Sequence, residues 1–226
     1  MNKLDSETLA YLRGDKFSNS RRFHLWSSGG ALQRSERLVE LVRGRRVVHV
    51  GCCDHLPLIR DKVARGLYLH QRLCEAAQRC VGVDINVEGV SLLRELGFPE
   101  VFLPPDTPRD EYDLCLLADV IEHVGDVVSF LRSMKEHRFS ELAVVTPNAF
   151  RLRNWLGGGE LINTDHRYWF SPYTLCKVLV DAGYEPTAVE LLHADSGSWR
   201  GRLFARALDP FPKARDVLLV RAKRLG

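Results

Sequence analysis

The feature that most limits how this chain can fold is a series of short β-branched runs alternating with segments of helical periodicity. Residues 45–51 (RRVVHVG), 80–86 (CVGVDIN), 112–120 (YDLCLLADV) and 141–148 (ELAVVTPN) read as buried strands. Such runs, with helices between them, belong in a mostly parallel sheet covered on both faces. Residues 101–103 (VFL) read as a short edge strand between the second and third runs, and 187–193 and 216–224 as two further strands. The helices carry local signals. Asn86 precedes Val90, Leu93 and Leu96, and Gly97 closes that stripe. Asp126 can cap a helix carrying Val127, Phe130, Leu131 and Met134. Ser171-Pro172 opens another, with Leu175, Val178, Leu179 and Ala182 on its buried face and Gly183 at its end. Residues 56–66 (LPLIRDKVARG) are read as an added loop before a helix with Leu69 and Leu73 inward.

Composition narrows the class. An apolar share of 45% in 226 residues suffices for one real core, and no stretch reads as a linker. No apolar run approaches the roughly 18 residues of a membrane span. The charged N-terminus shows no secretory signal. Six scattered cysteines read as reduced thiols of a cytoplasmic protein. No metal is expected at Cys52-Cys53, because no second Cys or His pair follows at zinc spacing. From Arg200 onward, eight Lys or Arg stand against two Asp. That end suits a phosphate-bearing ligand or is simply a solvated surface. No basic stripe interleaved with aromatics points to nucleic acid.

Ligands of open α/β sheets bind at the carboxyl ends of the strands. The first run ends in Gly51-Cys52-Cys53-Asp54-His55, where glycine permits a tight turn and close approach of a ligand. The second ends in Asp84, placed to accept from both hydroxyls of a ribose or to serve the fold alone. Glycine and Asp at consecutive strand ends favour a nucleoside ligand.

Five segments occur in order: His49-Val50-Gly51-Cys52, Gly82-Val83-Asp84-Ile85, Ala118-Asp119-Val120-Ile121-Glu122-His123-Val124, Thr146-Pro147-Asn148, and 166–175 (HRYWFSPYTL) followed by Ala182-Gly183-Tyr184. Together they resemble the small-molecule methyltransferases of the Rossmann-like, class I superfamily that use S-adenosylmethionine, with the ubiquinone-biosynthesis O-methyltransferases as relatives. The resemblance implies an α/β fold, a three-layer sandwich around a mostly parallel seven-stranded sheet with an antiparallel C-terminal strand. It places the catalytic domain at 45–226 and a helical segment, 1–44, packed on it. It implies that Gly51, Cys53 and His55 pass along the cofactor's methionine part, Asp84 holds the ribose, and Ile85 lies against adenine. Asp106 would accept from the adenine amino group, and Asp119 and Val120 would line the side toward the methyl. Arg22-Phe23-His24-Leu25-Trp26 resembles a segment that closes over the methionine end.

There are departures. The family's GxGxG is Gly51-x-Cys53-x-His55 here, and its Asp two residues before the first glycine is His49. A non-catalytic cofactor-binding protein is therefore an alternative. A nicotinamide dehydrogenase is disfavoured, since GxGxxG is absent and Asp84 lies beyond the roughly 20-residue spacing of that fingerprint. The expected activity is methyl transfer to a small molecule, at a hydroxyl of a sugar or glycoconjugate, by a monomer or homodimer. A hydroxyl acceptor needs a base, and histidine suits that near neutral pH. His166 is the first candidate and His123 the second, while His70, within a helix, reads as structural. Trp155, Tyr168, Trp169 and Phe170 either wall an acceptor pocket or belong to the core.

Overall fold

A computed structural model describes residues 2–24, 32–154, 162–207 and 209–225. In chain order its elements are β1 (Asn2–Lys3), α1 (Ser6–Arg13), α2 (Arg34–Val42), β2 (Arg46–Val50), α3 (Leu56–Ala64), α4 (Leu69–Ala76), β3 (Arg79–Val83) and α5 (Val87–Glu95). There follow β4 (Val101–Phe102), β5 (Glu111–Ala118), α6 (Val127–Ser133), β6 (Arg138–Pro147), α7 (Pro172–Asp181), β7 (Tyr184–Leu192), α8 (Trp199–Ala207) and β8 (Val217–Arg224).

The strands form one sheet in the order β1-β7-β8-β6-β5-β2-β3-β4. The pairs β4–β3, β3–β2, β2–β5 and β5–β6 are parallel, whereas β8 runs antiparallel to both β6 and β7. This is the seven-stranded, mostly parallel sheet expected from the sequence. A two-residue strand is added at its outer edge, where Asn2 and Lys3 pair with β7.

Alternation along the strands explains why the sheet is covered twice. Val48, Val50, Cys115, Leu117, Val144 and Val220 face one layer, which includes α6 and α7. Their neighbours Val47, Leu114, Leu116, Ala143, Val145 and Leu219 face the other, which includes Leu38 and Leu41 of α2 and Leu73 of α4. Each Val or Leu among them, buried in full, contributes about 1.5–3 kcal/mol relative to exposure.

The caps behave as their residue types require. Asn86, Asp126 and Ser171 each accept from the backbone N–H three residues on, opening α5, α6 and α7. Gly97 and Gly183 follow α5 and α7 with φ of 93° and 84°.

One expectation is corrected. Residues 56–64 are not a loop but helix α3, because Pro57 sits in its first turn and Ile59 is driven into a cluster with Tyr68, Val90 and Leu93. The polar stretch between β7 and β8 also contains a helix, α8. None of its described side chains is buried, so the core-facing stripe that would have betrayed it is absent.

Candidate active site

The parallel register brings the strand ends level, with Val50 opposite both Val83 of β3 and Leu117 of β5. Gly51, Asp84 and Asp119 therefore emerge along one edge of the sheet. Gly51 has φ of 76°, and a Cβ there would stand 2.3 Å from Cγ2 of Val120. Only glycine allows both the backbone turn and the close pass of Val120. The turn is held from below: Gly51 N–H donates to the Val83 carbonyl at 2.8 Å, and the buried Tyr68 hydroxyl donates to the Cys52 carbonyl at 2.6 Å.

Asp84 joins the two strand ends. One carboxylate oxygen accepts from Cys53 N–H at 2.8 Å and the other from Asn86 N–H at 3.0 Å. A carboxylate oxygen has two lone-pair sites, so each retains one for a ligand. The Cys53 side chain turns toward α5, where its sulfur fills the space that a Cβ on Gly89 would need. The Cys53 backbone, and not its sulfur, therefore faces the turn. His55 stands exposed at the start of α3, where Pro57 carries no N–H and Leu58 N–H donates to the His55 carbonyl, leaving Leu56 N–H nearest the turn.

Ile85 is 85% exposed, an apolar surface next to Asp84 left open by the described residues. Asp106 lies exposed in a single turn, Pro104–Asp106, after β4. That is the Asp84 side of the sheet, since Asp84 N–H donates to the Phe102 carbonyl.

Asp119 is the strained residue. Its φ of 55° is the one positive value at a non-glycine among the described residues. Asp tolerates that region better than most side chains, and strain of this kind is characteristic of sites. Its carboxylate accepts from Arg34 Nη2 at 2.5 Å, and Arg34 also approaches Asp195 at 3.8 Å. Sequence reasoning missed Arg34 and Asp195. They reach the strand ends only because α2 and the segment after β7 fold back over them.

A second cluster lies just past β5. Glu122, His123 and His166 bring donor atoms within 4.8 Å of one another. Glu122 is fully buried, and Thr146 Oγ1 donates to its Oε2 at 3.0 Å. Burial, with the Asp119 charge next, pushes its carboxyl up to about 8. Glu122 stood in the sequence segment without a role, and only its depth reveals one.

The His166 and His123 rings meet edge to face, centroids 4.7 Å apart. His123 Nδ1 lies 3.1 Å from the Asp165 carbonyl, which can only accept, so this nitrogen donates to it. Burial first, and then His123, holds His166 below its usual range, so its imidazole is neutral at pH 7. The segment carrying His166 docks through Arg167 N–H to the Glu122 carbonyl and the Tyr168 hydroxyl to the Gly125 carbonyl. Trp169 packs between the His166 ring and the Arg151 guanidinium, and Phe170 is buried core. Leu25, Trp26, Trp155 and the glycines at 157–159 lie outside the described residues.

Next to α7's N-terminus, a cavity of about 400 Å³ is lined by Phe23, His24, Asn148, Tyr173 and Lys213, among others. It includes none of the strand-end residues Gly51, Asp84 and Asp119.

The fold matches solved structures. An S-adenosylmethionine-dependent methyltransferase from Archaeoglobus fulgidus superposes with a TM-score of 0.55 at 20% identity, over 84% of this chain and 91% of that one. One from Mesorhizobium loti gives 0.52 at 17%, over 84% and 95%. A magnesium protoporphyrin IX methyltransferase from Synechocystis, with bound SAH, gives 0.53 at 14%, over 84% and 81%. The fold is that of the class I methyltransferases. No protein-family model matches the chain, and no curated protein matches it in sequence. Among the described residues of this methyltransferase fold, no helix is long and apolar enough to cross a membrane.

Proposed function

We propose that the protein is an S-adenosylmethionine-dependent methyltransferase acting on a small molecule, at a hydroxyl oxygen of a sugar or glycoconjugate. The observation that carries the reading is the coupled strand-end pair. Gly51 turns under Val120 where no Cβ fits, and Asp84 is bonded to that same turn with lone pairs to spare. That cradle suits the cofactor: the turn and the α3 N-terminus for the methionine carboxylate, Asp84 for the ribose, Ile85 and Asp106 for adenine, Asp119 and Val120 toward the methyl. When bound, the cofactor supplies an already activated sulfonium methyl.

The chain's own contribution is placement and a proton acceptor. Its residues hold the acceptor in line with the methyl, which is the larger part of such catalysis. His166, neutral at pH 7, takes the acceptor's proton at a ring nitrogen or orients the hydroxyl, with His123 behind it. The 400 Å³ cavity offers the Phe23 and Tyr173 rings together with Asn148 and Lys213 to a sugar or phosphate group, and neither His166 nor His123 lines it. Six free cysteines agree with a reducing, cytoplasmic setting.

The test is calorimetric titration with S-adenosylmethionine, S-adenosylhomocysteine and NAD. S-adenosylhomocysteine should bind and raise the melting temperature by mass action, about 2.7 kcal/mol of stabilisation at 100 times Kd, while NAD does neither. Asp84→Ala should remove most of that affinity. Unchanged affinity in a folded Asp84→Ala protein would sink the assignment of this strand end.

A further inference from the structure

Behind the Gly51 turn lies a group of metal-ligating side chains that the proposed reaction does not use. His49 belongs to β2, Cys80 to β3, and His70 and Cys74 to α4, which covers this part of the sheet. Each arrives there by simple geometry. His49 pairs in register with Gly82, two residues along β3 from Cys80, so His49 and Cys80 point to the same face. His70 and Cys74 are four residues apart, one above the other on a helix.

The donors converge. His49 Nδ1 and His70 Nδ1 are 3.2 Å apart, His70 Nδ1 and Cys80 Sγ 3.9 Å, and His70 Nε2 and Cys74 Sγ 3.6 Å. One donor atom from each of His70, Cys74 and Cys80 lies within 4.8 Å of the others. Tetrahedral zinc, with bonds near 2.0 Å to nitrogen and 2.3 Å to sulfur, sets its ligands about 3.3–3.8 Å apart.

Two further observations favour an ion over ordinary packing. His49 is 2% exposed; its Nδ1 meets His70 Nδ1 at 3.2 Å, while its Nε2 has no partner within the protein. Gly82 is shaped around His70: a Cβ there would stand 2.9 Å from both Cε1 and Nε2 of that imidazole. The sequence also breaks the family pattern at this place, where His49 stands for the usual Asp.

The geometry points to a structural zinc site held by His70, Cys74 and Cys80, with His49 Nδ1, 3.2 Å from His70 Nδ1, as the nearest fourth donor. Both imidazoles coordinate as neutral rings, and each thiol releases its proton to solvent as its sulfur binds the ion, with no change of oxidation state. The ion ties β2 and β3 together at His49, two residues before Gly51, and Cys80, four residues before Asp84, bracing the turn from within the fold. The expectation of no metal rested on spacing along the chain. These ligands come from three elements, and no spacing rule joins them.

The experiment needs no methyl acceptor. Protein purified without chelator from zinc-supplemented medium is assayed for metal by plasma mass spectrometry. The apoprotein is then titrated with Co2+ and followed by absorption. Wild type should carry one zinc per chain. It should also show the visible bands of tetrahedral cobalt with a near-ultraviolet thiolate charge-transfer band that weakens in Cys74→Ser. His70→Ala should lose the ion, and zinc should raise the melting temperature of wild type but not of that variant. Should the variants fail to fold, the wild-type cobalt spectrum decides alone. Three results overturn the site: wild type that takes up neither metal, bound cobalt without a thiolate band, or a Cys74–Cys80 disulfide in protein kept under reducing conditions.

Discussion

The sharpest consequence of the structure concerns Glu122. Its carboxyl is fully buried, receives one hydrogen bond from Thr146, and lies near the negative charge of Asp119. These surroundings favour the neutral acid, raising it to about 8 from an ordinary 4.5. The sign of the linkage follows. Between those values the folded chain keeps a proton that the unfolded chain has lost. The associated stability is present in full below pH 4.5 and drains away as pH rises through 8. At about 1.4 kcal/mol per pH unit, the loss between pH 5 and pH 8 is about 4 kcal/mol. In a chain of this length 1 kcal/mol moves the melting temperature by about 2–4 °C, so the shift is about 8–16 °C. Glu122→Gln keeps the shape and the acceptor for Thr146 but cannot ionise. Melting both proteins from pH 5 to 8 at constant ionic strength cancels the titrations they share, those of the nearby histidines included. The variant should gain on wild type by 8–16 °C across that range. A difference that stays constant would show that Glu122 is ionised in the fold throughout, and the account of a neutral buried acid would fail.

Gly51→Ala puts a methyl 2.3 Å from Val120 at a φ of 76°, and should cost about 1–3 kcal/mol together with the affinity for S-adenosylhomocysteine. Adding Val120→Ala relieves only the contact, so recovery should be partial; a single variant that melts and binds like wild type refutes the turn geometry. Cys53→Gly leaves a small void against Gly89, so the protein should melt a few degrees lower while cofactor affinity holds or improves. Lost affinity in that folded variant would mean that the sulfur itself contacts the ligand. His166→Ala should spare cofactor binding and lower turnover on an identified acceptor by roughly 10²–10⁴-fold. The wild-type rate should decline on the acid side with an apparent pKa below 6.5, the ordinary histidine value from which His166 is displaced. Full turnover of the variant at every pH would place the base elsewhere.

Local chemistry decided much of this protein in advance. Strands buried on both faces must pair in parallel beneath helices, and β2, β3, β5 and β6 do so. Asn86, Asp126 and Ser171 cap where their short oxygen-bearing side chains can reach a backbone N–H. A glycine and an aspartate closing consecutive strands had to meet at one edge of the sheet, because parallel register brings their ends level. What no local rule could supply was anything made by residues distant in sequence. The Arg34–Asp119 pair spans 85 residues, and His123 faces His166 only because a segment bonded through Arg167 and Tyr168 lies across the end of β5. The neutrality of Glu122 depends on depth, which is a property of the packed core and not of the IEHV segment that contains it. The same holds for His49, His70, Cys74 and Cys80. In the sequence His49 is a departure, His70 a structural histidine, and Cys74 and Cys80 scattered thiols; they come together only when α4 closes over β2 and β3.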